Sequence, residues 1–94
     1  MASESKFQST CITHLKQLNI YYVNVHGGGW TGKGTPDLLV CSNGRFIAFE
    51  LKVGNNTLQE DQKVRRNRIL KNGGLFYSPT TIEEFKKIME GLNE

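Results

Sequence analysis

Two carboxylates and an ammonium group, Asp37, Glu50 and Lys52, lie at the ends of two apolar runs, DLLVC and RFIAFEL, that flank Ser42-Asn43-Gly44-Arg45. Asn-Gly between such runs predicts a hairpin with a two-residue loop, because both central residues of that turn take positive φ. With Ser42 facing Arg45, the pairing runs outward until Asp37 faces Glu50. Like charges opposite one another on neighbouring strands repel, and a divalent cation is the natural compensating partner. Alternation along a strand puts Lys52 on the same face as Glu50. Oxygen ligands of this kind suit Mg²⁺ or Mn²⁺, hard ions that keep several waters and bind phosphate oxygens. Leu51 turns its side chain to the other face and offers its backbone carbonyl as a further ligand. The same spacing also fits an ordinary ion pair of Lys52 with either carboxylate at a sheet rim.

The elements that must position these groups are short and punctuated by glycine. Over residues 3 to 19, Phe7, Cys11, Leu15 and Leu18 recur at helical spacing, with Ser3 and Ser5 as candidate caps and Glu4, Lys6, Gln8 and Lys16 on the polar face. Ile20 to Val25 is rich in β-branched and aromatic residues and predicts a strand. After the hairpin, Gly54-Asn55-Asn56 breaks the chain, and Thr57 with Glu60 forms a capping-box pattern that opens a second helix, ending at Gly73-Gly74. Leu58, Gln62 and Ile69 share its inward stripe, while Lys63, Arg65, Arg66, Arg68 and Lys71 supply much of the remaining surface. Leu75 to Tyr77 predicts a strand, and Thr81 with Glu84 caps a last helix bearing Phe85, Ile88, Met89 and Leu92. The expected order is α-β-β-β-α-β-α.

Ninety-four residues, 37% hydrophobic and 22% charged, suffice for one domain spanning 1–94 and one core. No apolar run approaches the roughly 18 residues that a membrane span needs, and MASESKFQ has no signal-like character, so a soluble, cytoplasmic protein is expected. Twelve basic against nine acidic residues, a formal charge of +3, fit a polyanionic partner or simple solubility. Cys11 and Cys41, far apart and without ligand-type neighbours, are expected as reduced core thiols, not as a disulfide or a zinc site.

The loop HGGGWTGKGT satisfies G-x-G-x-x-G at Gly27, Gly29 and Gly32 and nearly spells a P-loop. A P-loop needs Ser or Thr after its lysine, where this chain has Gly34, and it must open a helix, whereas Pro36 to Cys41 predicts a strand. The loop is expected instead as the rim of a site, with Lys33 touching phosphate and Trp30 stacking on a base or covering the core edge.

Gly34-Thr35-Pro36-Asp37, twelve intervening residues and then Glu50-Leu51-Lys52 resemble the signature of the PD-(D/E)XK nucleases, and Gln62 in LQEDQ resembles the glutamine of their VRR-NUC branch. The resemblance covers residues 4 to about 77. It implies a restriction-endonuclease-like α/β fold, an α-β-β-β-α-β core whose mixed sheet is flanked by helices, here with a further C-terminal helix. It implies a Mg²⁺-dependent DNA endonuclease, with Mn²⁺ as a substitute, leaving 5′-phosphate and 3′-hydroxyl ends. Asp37, Glu50 and the Leu51 carbonyl would hold the metal. Lys52 would position or deprotonate the attacking water, Gln62, with Gln59 as the competing glutamine, would orient a water or phosphate, and Glu4 matches an acidic residue that many members carry on the first helix. Read from their charge and placement, Lys33 and the basic helix face of Lys63, Arg65, Arg66, Arg68 and Lys71 are expected to contact nucleic acid through its phosphates. Stand-alone members of viral type imply a homodimer acting on branched DNA such as a Holliday junction, with Tyr21, Tyr22, Phe76 and Met89 as candidates for exposed apolar surface. A non-catalytic DNA-binding module of the same fold is the alternative, and a P-loop nucleotide-binding protein a weaker one.

Overall fold

The computed structural model describes residues 4–25 and 34–92. The elements are α1 (Glu4–Gln17), β1 (Tyr21–Asn24), β2 (Leu38–Ser42), β3 (Arg45–Phe49), α2 (Glu60–Lys71), β4 (Leu75–Tyr77) and α3 (Ile82–Leu92), in the order the sequence predicts. One mixed sheet runs β1-β2-β3-β4, with the first two pairings antiparallel and β3–β4 parallel. A parallel neighbour requires a crossover, and α2 is that crossover.

The hairpin forms as Asn-Gly dictates: Asn43 and Gly44 take φ of +53° and +75°, and Ser42 pairs with Arg45. This register sends Leu38, Val40, Ile47 and Phe49 to one face, where all four are buried. Phe7, Cys11 and Leu15 of α1 and Phe85, Met89 and Leu92 of α3 close the core over them. Phe49 and Phe85 pack against each other with ring centroids 4.7 Å apart and ring planes tilted by 52°. Thr81 caps α3 by accepting the Glu84 N–H at 3.1 Å, and Glu84 Oε1 accepts in return from the Thr80 N–H and hydroxyl. At its other end, the Leu92 carbonyl accepts from Asn43 Nδ2 and Arg45 Nη1, which ties α3 to the hairpin tip.

The opposite face is only partly covered. It carries Tyr21, Val23 and Cys41, all exposed, with Leu39, Phe46 and Ala48, and α2 lies near its β4 side without burying any residue of its own. Several expectations are corrected here. Leu18 falls beyond the last turn of α1 and is 44% exposed. Cys11 is a core thiol, but Cys41 points to the open face and is exposed. Met89 is fully buried in the core, and Tyr22 and Phe76 are half-buried, so Tyr21 alone of the four proposed surface residues is exposed.

The second helix begins three residues later than its apparent cap. Gln59, not Thr57, is the N-cap, and Gln62 Oε1 accepts the Gln59 N–H at 2.8 Å. The capping-box logic is the one expected, with glutamine as the residue that reaches back, but Gln59-x-x-Gln62 wins over Thr57-x-x-Glu60. Leu58 therefore precedes the helix and cannot define a stripe on it. No described helix is long and apolar enough to cross a membrane.

Candidate metal centre and catalytic cluster

The β2–β3 ladder ends at Leu38 opposite Phe49, so Asp37 and Glu50 form the next step outward, where the strands part. Three hydrogen bonds fix this end. The Val25 N–H donates to the Asp37 carbonyl at 2.9 Å, the Glu50 N–H to the Tyr77 carbonyl at 3.0 Å, and the Lys52 N–H to the Pro79 carbonyl at 3.2 Å. Glu50 and Lys52 thus keep strand-like alternation past the formal end of β3 because the chain after β4 continues to accept from every second residue. The Ser78 hydroxyl donates to the Glu50 carbonyl at 2.8 Å, and the Leu51 N–H donates to Asp37 Oδ2 at 2.8 Å.

Glu4, from the first turn of α1, joins the pair. One carboxylate oxygen from each of Glu4, Asp37 and Glu50 lies within 4.8 Å of the other two. Lys52 Nζ stands 3.8 Å from Glu50 Oε2, and both side chains are nearly buried. Glu50 Oε1 is also buried and has no hydrogen-bond partner among the described residues. A buried, unpartnered carboxylate oxygen is costly unless a cation or proton reaches it. Burial first, then the neighbouring Asp37 by charge and hydrogen bond, push the Glu50 carboxyl up to about 8 against the opposing pull of Lys52. Three converging hard oxygen donors with an orphaned atom fit a divalent cation of the Mg²⁺ or Mn²⁺ type.

The remaining residues expected in the site divide. Gln62 is not among the groups gathered here; its Oε1 holds the start of α2. Lys63 Nζ reaches Glu60 Oε1 at 3.3 Å, and Arg66 Nε donates to Asn67 Oδ1. Arg65 and Arg68, both on the basic helix face expected to contact phosphates, line a groove of about 900 Å³ between α2 and the open sheet face. Lys33, Trp30, His26 and the glycines from Gly27 to Gly32 lie outside the described residues.

Sequence reading missed a polar cleft of about 310 Å³ beside Asp37, lined by Ser5, Gln8, Ser9 and Asn24, in which the Gln8 amide donates to Asn24 Oδ1. Only the helical spacing of Ser5, Gln8 and Ser9 with Glu4 on one side of α1 signalled it. Gly34 has a positioning role that its motif does not convey. It takes φ of +87°, and a Cβ there would stand 2.6 Å from the Asp61 carbonyl oxygen. The strand leading into Asp37 can therefore cross the first turn of α2 only through glycine. Gly34→Ala is expected to lower stability by about 1–3 kcal/mol through strain and to reduce activity by displacing Asp37. Thermal melts and kcat measured on the same preparation check this, and an unchanged melt with full activity would contradict it.

Among solved structures, a chain described as a VRR_NUC domain superposes with a TM-score of 0.78 at 21% identity, over 93% of this chain and 94% of that one. Hjc of Archaeoglobus fulgidus, a Holliday junction resolvase from an archaeal hyperthermophile, superposes with a TM-score of 0.63 at 17% identity, over 82% of this chain and 67% of that one. No protein-family model and no curated protein matches the chain. The expected fold class is the one found: a restriction-endonuclease-like α/β fold, shared with these two proteins.

Proposed function

We propose that this chain is a divalent-metal-dependent endonuclease that hydrolyses phosphodiester bonds in branched DNA, in the manner of a Holliday junction resolvase. The observation that carries the reading is the convergence of Glu4, Asp37 and Glu50 with Lys52 at the parted end of β2 and β3. The two structural neighbours support it, one being a VRR_NUC domain and the other a junction resolvase. Asp37 and Glu50, with the Leu51 carbonyl and Glu4, would hold Mg²⁺ or Mn²⁺. When bound, such an ion supplies Lewis-acid stabilisation of the phosphoryl oxygens and lowers the pKa of a coordinated water. Lys52 holds its ammonium beside Glu50, where it orients the attacking water and offsets the negative charge that develops on the phosphate. Gln62 keeps its Nε2 as a donor for a phosphate oxygen, its Oε1 being occupied by the helix start. The α2 arginines contact the phosphate backbone.

A single catalytic cluster cuts one strand at a time. A two-fold homodimer matches a four-way junction, since isologous pairing presents two sites related by symmetry. The test is cleavage of labelled duplex, single-stranded, arm-bearing duplex and four-way-junction DNA with Mg²⁺, Mn²⁺ or EDTA, with light scattering at the assay concentration. Metal-dependent cutting of opposing junction strands by a dimer is expected. Cutting that survives EDTA rejects the metal dependence, and no cutting with either metal rejects the nuclease reading. Equal rates on duplex and junction reject the resolvase part. DNA binding without cleavage would favour the non-catalytic module.

A further inference from the structure

The large groove begins at Pro36, one residue before the catalytic Asp37, and follows β2 to Arg45 at the hairpin tip. Its floor is apolar, built from Leu39 and Phe46 of the sheet and Ile69 of α2, and its walls carry Arg45, Arg65 and Arg68. Gly74 makes the close approach possible: a Cβ there would stand 2.8 Å from Ile69 Cγ2 and 3.1 Å from Phe46 Cδ1. Phe46 keeps 47% of its surface exposed on the open face of the sheet, one residue past the hairpin turn and beyond the end of the β4 ladder. Core packing does not account for an exposed ring of this kind flanked by guanidinium groups.

Resting on the nuclease reading, we infer that this groove seats an unpaired strand of the DNA substrate leading away from the scissile phosphate, with a base stacked on Phe46 and phosphates held by Arg65 and Arg68. Aromatic platforms inside a cationic groove are how proteins bind single strands without reading sequence, because every base has a π-face. A volume of about 900 Å³ matches a ligand of drug size, a few nucleotides and not a double helix. The charge of the walls complements a phosphate backbone. An acidic peptide would meet the same charge, but the groove reaches Thr35 and Pro36, the residues that lead directly into Asp37, and this favours the strand that the cluster cuts. The substrate class that follows is branched DNA in which a strand is unpaired, or becomes unpaired on binding, at the branch point next to the cleavage site.

The test uses the wild-type chain in EDTA and a short single-stranded oligonucleotide containing 2-aminopurine. Binding is expected to quench the fluorophore by stacking, and Phe46→Ala and Phe46→Leu are both expected to abolish the quench and weaken binding at least about 5-fold. Phe46→Leu preserves apolar packing, so loss of folding cannot explain its effect. Arg68→Gln is expected to reduce the log–log salt slope by about 0.7. With Mg²⁺, the preference for a duplex bearing an unpaired arm over the fully paired duplex should fall in the Phe46 variants by a similar factor. Unaltered quenching and arm preference in Phe46→Leu would overturn the groove assignment while the wild type still cuts DNA. So would displacement of the oligonucleotide from the wild type by an acidic, leucine-rich peptide with higher affinity than DNA. Failure of the wild type to cut any DNA would fall on the nuclease reading alone, since the binding arm is run without metal.

Discussion

Glu50→Gln is expected to abolish cleavage and, at the same time, to raise the melting temperature of the metal-free protein at alkaline pH. Loss of a metal ligand should reduce kcat by at least roughly 10²–10³-fold. The stability effect has the opposite sign because the ionised Glu50 is uncomfortable where it sits: buried, 3% exposed, and facing Asp37 and Glu4. Replacing it leaves two carboxylates and one ammonium in place of three and one, so the cluster is nearer to neutrality even though Lys52 loses its closest partner. The carboxyl is raised from an ordinary 4.5 to about 8 in the folded state. Its contribution to stability is therefore fully present below 4.5 and is lost as pH rises through about 8. In EDTA, the wild type should melt lower at pH 8.5 than at pH 6 through this group, and Glu50→Gln should remove that component of the slope. A relief of about 1 kcal/mol raises Tm by roughly 4–8 °C in a domain of this size. Mg²⁺ should stabilise the wild type at pH 8 and have little effect on the variant. Melts at both pH values, with EDTA or Mg²⁺, check the whole pattern. A wild-type Tm that rises with pH in parallel with the variant would remove the electrostatic account of the site.

Lys52→Met is expected to reduce kcat by about 10²–10³-fold while leaving DNA affinity within a few-fold, because on the proposed reading Lys52 acts at the reacting phosphate and not on the backbone at large. Its effect on stability should run against that of Glu50→Gln. Removing one partner of a nearly buried pair leaves the other charge uncompensated, a loss that reaches about 3–5 kcal/mol where the remaining group cannot neutralise. Glu50 can neutralise, by taking a proton. The penalty of Lys52→Met should consequently be small at pH 6 and grow as the pH passes 8, in EDTA. Single-turnover cleavage and pH-dependent melts separate the two roles. A variant that keeps wild-type kcat would leave the Lys52–Glu50 contact as an ion pair at the sheet rim and nothing more.

The carboxylate pair was legible in the sequence because a hairpin closed by Asn-Gly admits one register, and a period of two then decides which side chains meet. Asp37, Glu50 and Lys52 follow from counting outward from the turn, and the structure keeps that count past the end of the ladder through acceptors at Tyr77 and Pro79. The burial of Phe7, Cys11, Leu15 and Phe85 likewise follows from helical spacing, whereas Met89, expected at the surface, is buried by the packing of α3 on the sheet. Other features depend on contacts between segments distant in the chain. Glu4 reaches the pair only because α1 packs on the sheet with its first turn at the parted strand ends, and the macrodipole would have placed an acid there in any case. The start of α2 went to Gln59 because two capping patterns overlap, and Gly34 crosses the helix at Asp61, at a distance only the assembled chain defines. The exposed side of the sheet, with Cys41 outward and Phe46 at the base of an arginine-walled groove, was equally beyond local reading. Alternation says which residues share a face; how much of that face a helix covers is decided by where the crossover lies and by a glycine that lets Ile69 and Phe46 meet.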